Sequence, residues 1–229
     1  MIDSPHPLDA PLARCSTEIP DTWPYQELGL SPSGLLVVLS GPSGVGKDAV
    51  ITGLENDHFP FTRIVTATTR SIRPGEVKGQ SYHFLSTEEF IQWRNNGKFL
   101  EWAEYGHHYY GTPLESVRQA LAAGETVLLK IEVQGAAQVK QKVPDAVFIF
   151  LGPSSFDELT ERLRKRGTES PVALSRRIQQ AREEFAQLPN YDYLVINRHG
   201  GLRCAVEQIE AIITAERLRI HQRQMRFVS

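Results

Sequence analysis

The heptapeptide Gly41-Pro42-Ser43-Gly44-Val45-Gly46-Lys47 constrains this chain more than any other stretch. It fits the spacing G-x-x-x-x-G-K. It follows an unbroken apolar run, Leu35-Leu36-Val37-Val38-Leu39. A short run of that kind suits a strand buried on both faces, as in a parallel sheet. A helix is expected to follow from about Lys47 to Leu54. Strand, glycine loop and helix together form the setting in which this spacing binds phosphate. Glycines let the backbone wrap closely, successive N–H groups turn inward as donors, and the helix N-terminus adds partial positive charge. Lys47 would reach the β- and γ-phosphates of a nucleotide as a point charge. A plain strand-to-helix turn is the alternative, and the context weighs against it.

Three more buried strands are expected: Thr126 to Ile131, Ala146 to Leu151 and Tyr193 to Ile196. Helices separate them. Phe156 to Arg166 and Val172 to Leu188 both show helical spacing, and Leu202, Val206, Ile209 and Ile213 mark a final amphipathic helix. Strands alternating with helices imply an α/β layered fold with a mostly parallel central sheet. The segment from about Phe61 to Gly111 reads differently. It is rich in Thr, Tyr and Phe, with turn signals at Pro74-Gly75 and Gly79, and it reads as a small β-rich insertion. Residues 1–33 carry Pro5, Pro7, Pro11, Pro20, Pro24 and Pro32 with no apolar period between them, and read as a tail.

Composition excludes several classes. With 25 Lys plus Arg against 27 Asp plus Glu in 229 residues, the net charge is -2. No global pull toward nucleic acid or an anionic membrane follows, so any basic site must be a local cluster. Cys15 and Cys204 lie far apart without metal-ligand spacing and read as two ordinary thiols in a reducing compartment. No apolar run approaches the roughly 18 residues of a membrane span. The N-terminus lacks a basic stretch and an apolar h-region, which makes the cytoplasm the expected compartment. No feature sets an oligomeric state.

The insertion narrows the chemistry. Thr68-Thr69-Arg70 is followed by Arg73, Glu76, Gly79 and Tyr82-His83-Phe84, then by Phe99-Leu100-Glu101-Trp102-Ala103 and Tyr109-Tyr110-Gly111-Thr112. With TTRSIRPGEVKGQSYHF, EWAEYGHHYYGT, KIEVQGA at 130–136 and RLRKRGTE at 162–169, the chain closely resembles the guanylate kinase family of P-loop nucleoside monophosphate kinases. The resemblance runs from about Gly34 to Ile220, and several motifs in order make it far more specific than the phosphate loop alone. It implies a P-loop kinase fold over residues 34–220, with a GMP-binding insertion at about 61–112, a helical lid at about 158–180 and a C-terminal tail at 221–229. It implies transfer of the γ-phosphoryl group of ATP to GMP, and to dGMP, with Mg²⁺ accompanying ATP.

The same resemblance implies roles for single residues. Gly41 through Asp48 would bind ATP, joined by Arg162, Arg166 and Asn197. Arg70, Arg73, Tyr82 and Tyr110 would hold the GMP phosphate, where guanidinium forks match phosphate oxygens and phenols add neutral donors. Glu101 would face the guanine edge, with Thr66 and Thr112 near O6 and Glu132 near the amino group. Lys47, Arg70, Arg166 and Arg177 would carry catalysis, Arg177 reaching in at the transferring phosphoryl. The chemistry of Glu101 supports this independently. Guanine presents N1–H and N2–H₂ side by side, and one carboxylate accepts both. Adenine would leave the buried acid unpaired. His107 and His108 receive no catalytic role, because a phosphate acceptor is already anionic and needs no general base.

Two positions depart from the family's pattern. Position 48 is usually Ser or Thr and position 130 usually acidic, where this chain has Asp48 and Lys130. We expect a charge exchange in which Asp48 takes the metal-facing role and Lys130 pairs with it or with a phosphate oxygen. The alternative is weakened metal binding. A guanylate-kinase-like binding module is the competing function class, and retention of Gly41, Gly44, Gly46 and Lys47 argues for an enzyme. A P-loop kinase with another acceptor is disfavoured by the Arg70, Arg73, Tyr82 and Glu101 set.

Overall fold

A computed structural model describes residues 33–165, 171–220 and 223–228. All of the N-terminal tail but Ser33 lies outside them, as does Arg166. The apolar run forms strand β1 (Leu35–Ser40), every residue of which is buried. It lies inside a parallel sheet ordered β6-β1-β7-β8, with β6 Thr126–Lys130, β7 Val147–Gly152 and β8 Tyr193–Ile196. Alternation along β1 divides the core, because successive side chains of a strand point to opposite faces. Leu35, Val37 and Leu39 pack with Val50, Leu54, Leu159, Ile209 and Ile213 on one side. Leu36 and Val38 pack with Val117, Val139 and Phe148 on the other. Fully burying a side chain of this size stabilises the fold by roughly 1.5–3 kcal/mol.

The first face is covered by α1 (Lys47–Asn56), α5 (Phe156–Lys165), α6 (Pro171–Phe185) and α7 (Leu202–Arg217). The second is covered by α3 (Leu114–Ala122) and α4 (Val133–Lys142). The fold is thus α/β, with a parallel sheet between helical layers. Among the described residues, no helix is long and apolar enough to cross a membrane.

The insertion forms a second sheet ordered β3-β2-β5-β4, from β2 (Ala67–Thr68), β3 (His83–Phe84), β4 (Phe99–Tyr105) and β5 (His108–Pro113). It also contains a helix that the β-rich reading missed, α2 (Thr87–Asn95), started by a Ser86–Glu89 capping box. Only Phe90 of this helix is buried, stacked on Phe99 and Tyr109. Phe90 with the partly buried Trp93 gives too short a helical period to read, but the S-x-x-E spacing is a start signal on its own.

Residues 223–228 lie on the domain. Val228 N–H donates to Lys142 O at 2.7 Å, Phe227 packs beside the α3/α4 core, and Arg223 pairs with Glu216 at 3.0 Å.

Candidate active site

The phosphate loop runs from the C-terminal end of β1 to the start of α1. Gly46 sits at the helix N-cap in left-handed conformation, φ 99°, and a Cβ there would lie 2.5 Å from the Asn197 amide nitrogen. Only glycine satisfies both conditions. Two side chains brace the loop through one carbonyl. Asn197 Nδ2 donates to Val45 O at 2.7 Å, and Arg162 Nη1 donates to the same oxygen at 3.2 Å. Arg162 also donates to Asn197 O at 2.6 Å and pairs with Glu158 at 2.5 Å. Both residues expected at the nucleotide therefore lie against the loop that would grip it.

Lys47 is buried. Its Nζ donates to Gly41 O at 2.5 Å and to Glu132 at 3.2 Å. Glu132 occupies the N-cap of α4, so that helix begins beside the loop lysine. Parallel pairing sets Lys130 of β6 opposite Leu39 of β1, one residue before Ser40 and the loop. Lys130 Nζ donates to Asp48 Oδ1, joining the two departures from the family pattern in one ion pair.

The residues expected at the acceptor lie on or beside the second sheet. Arg70 is buried and its guanidinium lies 5.2 Å from the Tyr82 ring centroid. Tyr82 and Tyr110 meet edge to face at 6.2 Å. Arg70, Arg73 and Tyr110 line one cavity of about 500 Å³ together with Ser71, Ile72, Pro74, Tyr105, Gly106 and His108. Glu76 grips Arg70 with both oxygens, at 2.9 and 2.7 Å, and accepts from Arg73 N–H at 2.8 Å. The Arg70 guanidinium holds the Glu76 carboxyl well below the usual carboxylate range, at about 2, and Glu76 in turn raises Arg70. Sequence reasoning assigned Glu76 and His108 no role. The spacing Arg70, Arg73, Glu76 carried the signal for Glu76, once Pro74-Gly75 is recognised as a turn that folds the acid back.

Glu101 is 5% exposed. Burial raises its pKa, opposed by the hydrogen bond from Thr112, whose hydroxyl donates to Oε1 at 2.5 Å. Thr112 is the cross-strand neighbour of Glu101 in the β4–β5 pair. Thr66 precedes β2, and its carbonyl accepts from His83 N–H at 2.9 Å. Helix α4 clamps the backbone on both sides of Glu101. Gln138 exchanges two hydrogen bonds with Trp102, at 3.1 and 2.8 Å, and Lys142 donates to Phe99 O at 2.9 Å and Leu100 O at 2.7 Å. The strand that carries the acid is thus held rigidly.

Gly135 completes that clamp. A Cβ on it would lie 2.7 Å from Glu101 Oε2. Gly135→Ala should therefore push the carboxylate aside while leaving the fold sound, since Gly to Ala inside a helix gains up to about 1 kcal/mol. Expected are a KM for GMP raised about tenfold, an unchanged KM for ATP and an unfolding midpoint no lower than that of the parent chain. Steady-state kinetics and a thermal melt read all three.

The first turn of α4 thus meets both Lys47 of the glycine loop, through Glu132, and the buried Glu101 carboxylate, beside Gly135. The guanylate kinase family model matches residues 33–216. A guanylate kinase of Streptococcus thermophilus (strain CNRZ 1066) is 50% identical over 195 residues, covering 84% of this chain and 92% of that protein. One of Latilactobacillus sakei is 48% identical over 192 residues, covering 83% and 94%. The chain belongs to the guanylate kinase family. The crystal structure of a guanylate kinase from Anaplasma phagocytophilum has the same fold, with a TM-score of 0.64 and 28% identity, over 87% of this chain and 92% of that one. Guanylate kinase membership accounts for the sequence motifs of the glycine loop and of the insertion.

Proposed function

We infer that this chain transfers the γ-phosphoryl group of ATP to GMP, giving ADP and GDP, and accepts dGMP. The observation that carries the reading is Glu101. It is a buried carboxylate on a strand clamped by α4, and such an acid would be satisfied by a base with two adjacent N–H donors. The loop N–H groups and Lys47 would hold the donor's phosphates. Arg70 and Arg73, with Tyr82 and Tyr110, would hold the acceptor's phosphate. The attacking oxygen is already anionic, so the protein's task is positioning and charge neutralisation, and Arg177 would meet the charge that spreads over the transferring phosphoryl. Arg166 is assigned beside it in the lid by family resemblance.

The residues fit Mg²⁺ as companion of ATP. Asp48 offers a hard oxygen donor beside the loop, on a side chain 84% exposed. Among the described residues, no group of three or more His, Cys, Asp or Glu could hold an ion by protein alone. That suits a cation that takes one or two carboxylates and completes its shell with phosphates and water. Asp48 would hold it, and when bound it neutralises charge on the phosphoryl oxygens. Lys130 alone would repel such a cation, and Asp48 alone would crowd the phosphates; paired, they nearly cancel. Lys130→Asp by itself should lower kcat/KM for ATP about tenfold, because two acids then face each other. Adding Asp48→Ser should restore most of it. Additive effects of the two substitutions in Mg²⁺ titrations and in kinetics would refute the exchange.

The activity is tested by measuring ADP release with ATP and Mg²⁺ against GMP, dGMP, AMP and no acceptor. Strong GMP-dependent turnover is expected. Absence of turnover with every acceptor would instead point to a binding module.

A further inference from the structure

The acceptor cavity has a rim residue that the proposed reading does not use. Tyr105 ends β4, and its side chain is set beside the cavity by the tight turn Gly106-His107, whose φ values of 58° and 65° bring β5 straight back. Tyr105 is 63% exposed and stands opposite α6. Across that gap Arg177 Nη2 donates to the Tyr105 hydroxyl at 3.2 Å. The bond joins the lid helix to the insertion, two elements 72 positions apart in the chain.

Charge explains why a phenol suits this place. Arg70 and Arg73 already line the cavity and Glu76 offsets only one of their two charges, so a third guanidinium brought to its rim meets net repulsion. A carboxylate would hold it firmly, and would also repel the acceptor's phosphate. A phenol oxygen accepts from a guanidinium without carrying charge, and its own O–H can donate to a phosphate oxygen.

We propose that Tyr105 is a positioning residue for phosphoryl transfer, holding Arg177 of the lid at the rim of the acceptor-phosphate cavity. The inference rests on the reading of Arg177 as the arginine that meets the transferring phosphoryl. Tyr105 does not contribute to the stability of the fold; its effect is on how often Arg177 is in place when both substrates are bound.

Four proteins test this: the parent chain, Tyr105→Phe, Arg177→Ala and the double variant. Tyr105→Phe keeps the ring and removes only the hydroxyl. It should lower kcat about three- to tenfold, the range expected for one hydrogen bond, leave KM for ATP within about twofold and leave the unfolding midpoint unchanged. Arg177→Ala should lower kcat by about 100-fold or more. In that background Tyr105→Phe should cost nothing further. If Arg177→Ala lowers kcat but Tyr105→Phe does not, or if the two losses multiply independently, the positioning role is refuted while the reading of Arg177 stands. A lowered unfolding midpoint in Tyr105→Phe would make the residue structural and refute it too. If Arg177→Ala leaves kcat unchanged, the reading of Arg177 itself falls and the inference falls with it.

Discussion

Glu101→Gln should reduce kcat/KM for GMP by about 10³- to 10⁴-fold and leave use of ATP almost untouched. The size follows from the kind of contact. Sites built on hydrogen bonds to a base reject a mismatched partner by roughly 10⁴-fold, because buried polar groups are left unpaired. Glutamine replaces one acceptor oxygen by a donor NH₂, which then faces a donor of guanine. The selectivity for GMP over AMP should collapse with it. Stability should move the other way. Burial raises the Glu101 pKa in the folded chain, so ionising this group costs stability. That cost is absent below the unfolded pKa and complete above the folded one. Glu101→Gln removes it, and the variant should melt no lower than the parent at neutral pH. The same shift gives a pH signature. As pH falls through the raised pKa, the acid gains a proton and can no longer accept both guanine donors, so KM for GMP should rise at a higher pH than an ordinary glutamate would cause. Conversely, guanine donors favour the ionised form, and GMP binding at mildly acidic pH should release a proton, measurable by calorimetry in two buffers.

Lys47→Ala is expected to lower kcat by about 10³-fold, the scale on which a preorganised cation at a transferring phosphoryl acts. The fold should tolerate it. The loop is braced by Asn197 and Arg162 through Val45 O, independently of Lys47. The Glu132 partner is half-exposed and can turn to water. Lys47→Arg should fail nearly as badly, because a planar fork cannot replace a compact point charge in a buried turn. Steady-state rates with saturating ATP, Mg²⁺ and GMP, beside thermal melts, check both variants. A loss below tenfold for Lys47→Ala would remove the loop from the chemistry.

Much of the fold was readable because its signals are local. Leu35 to Leu39 is apolar at every position, so its burial on both faces needs no knowledge of its neighbours, and the glycine spacing that follows admits few conformations. β7 was readable for the same reason, whereas β8, expected as a buried strand, is the edge of the sheet and buries only Val195. Helix α2 was not readable, since only Phe90 is fully buried and Trp93 packs partly beside it, too few apolar positions to mark a face. Position-by-position resemblance pointed to the residues of the site, but what holds them was hidden. Lys142 and Gln138 carried no signal in the sequence. Their partners are backbone atoms some 36 to 43 positions away. Glu132 meets Lys47 across 85 positions. Such contacts follow only from the sheet order, which sets β6 beside β1 and so brings the start of α4 beside Lys47. Lys130 and Asp48 were legible as a pair because both fall at element ends that a parallel β1–β6 pairing must bring together.

Determining the structure of this chain with GMP bound tests the account most directly. The Glu101 carboxylate should accept from guanine N1–H and N2–H₂, with the phosphate in the cavity lined by Arg70, Arg73 and Tyr110. Guanine bound elsewhere, with the side chain of residue 101 turned out to solvent, would contradict it.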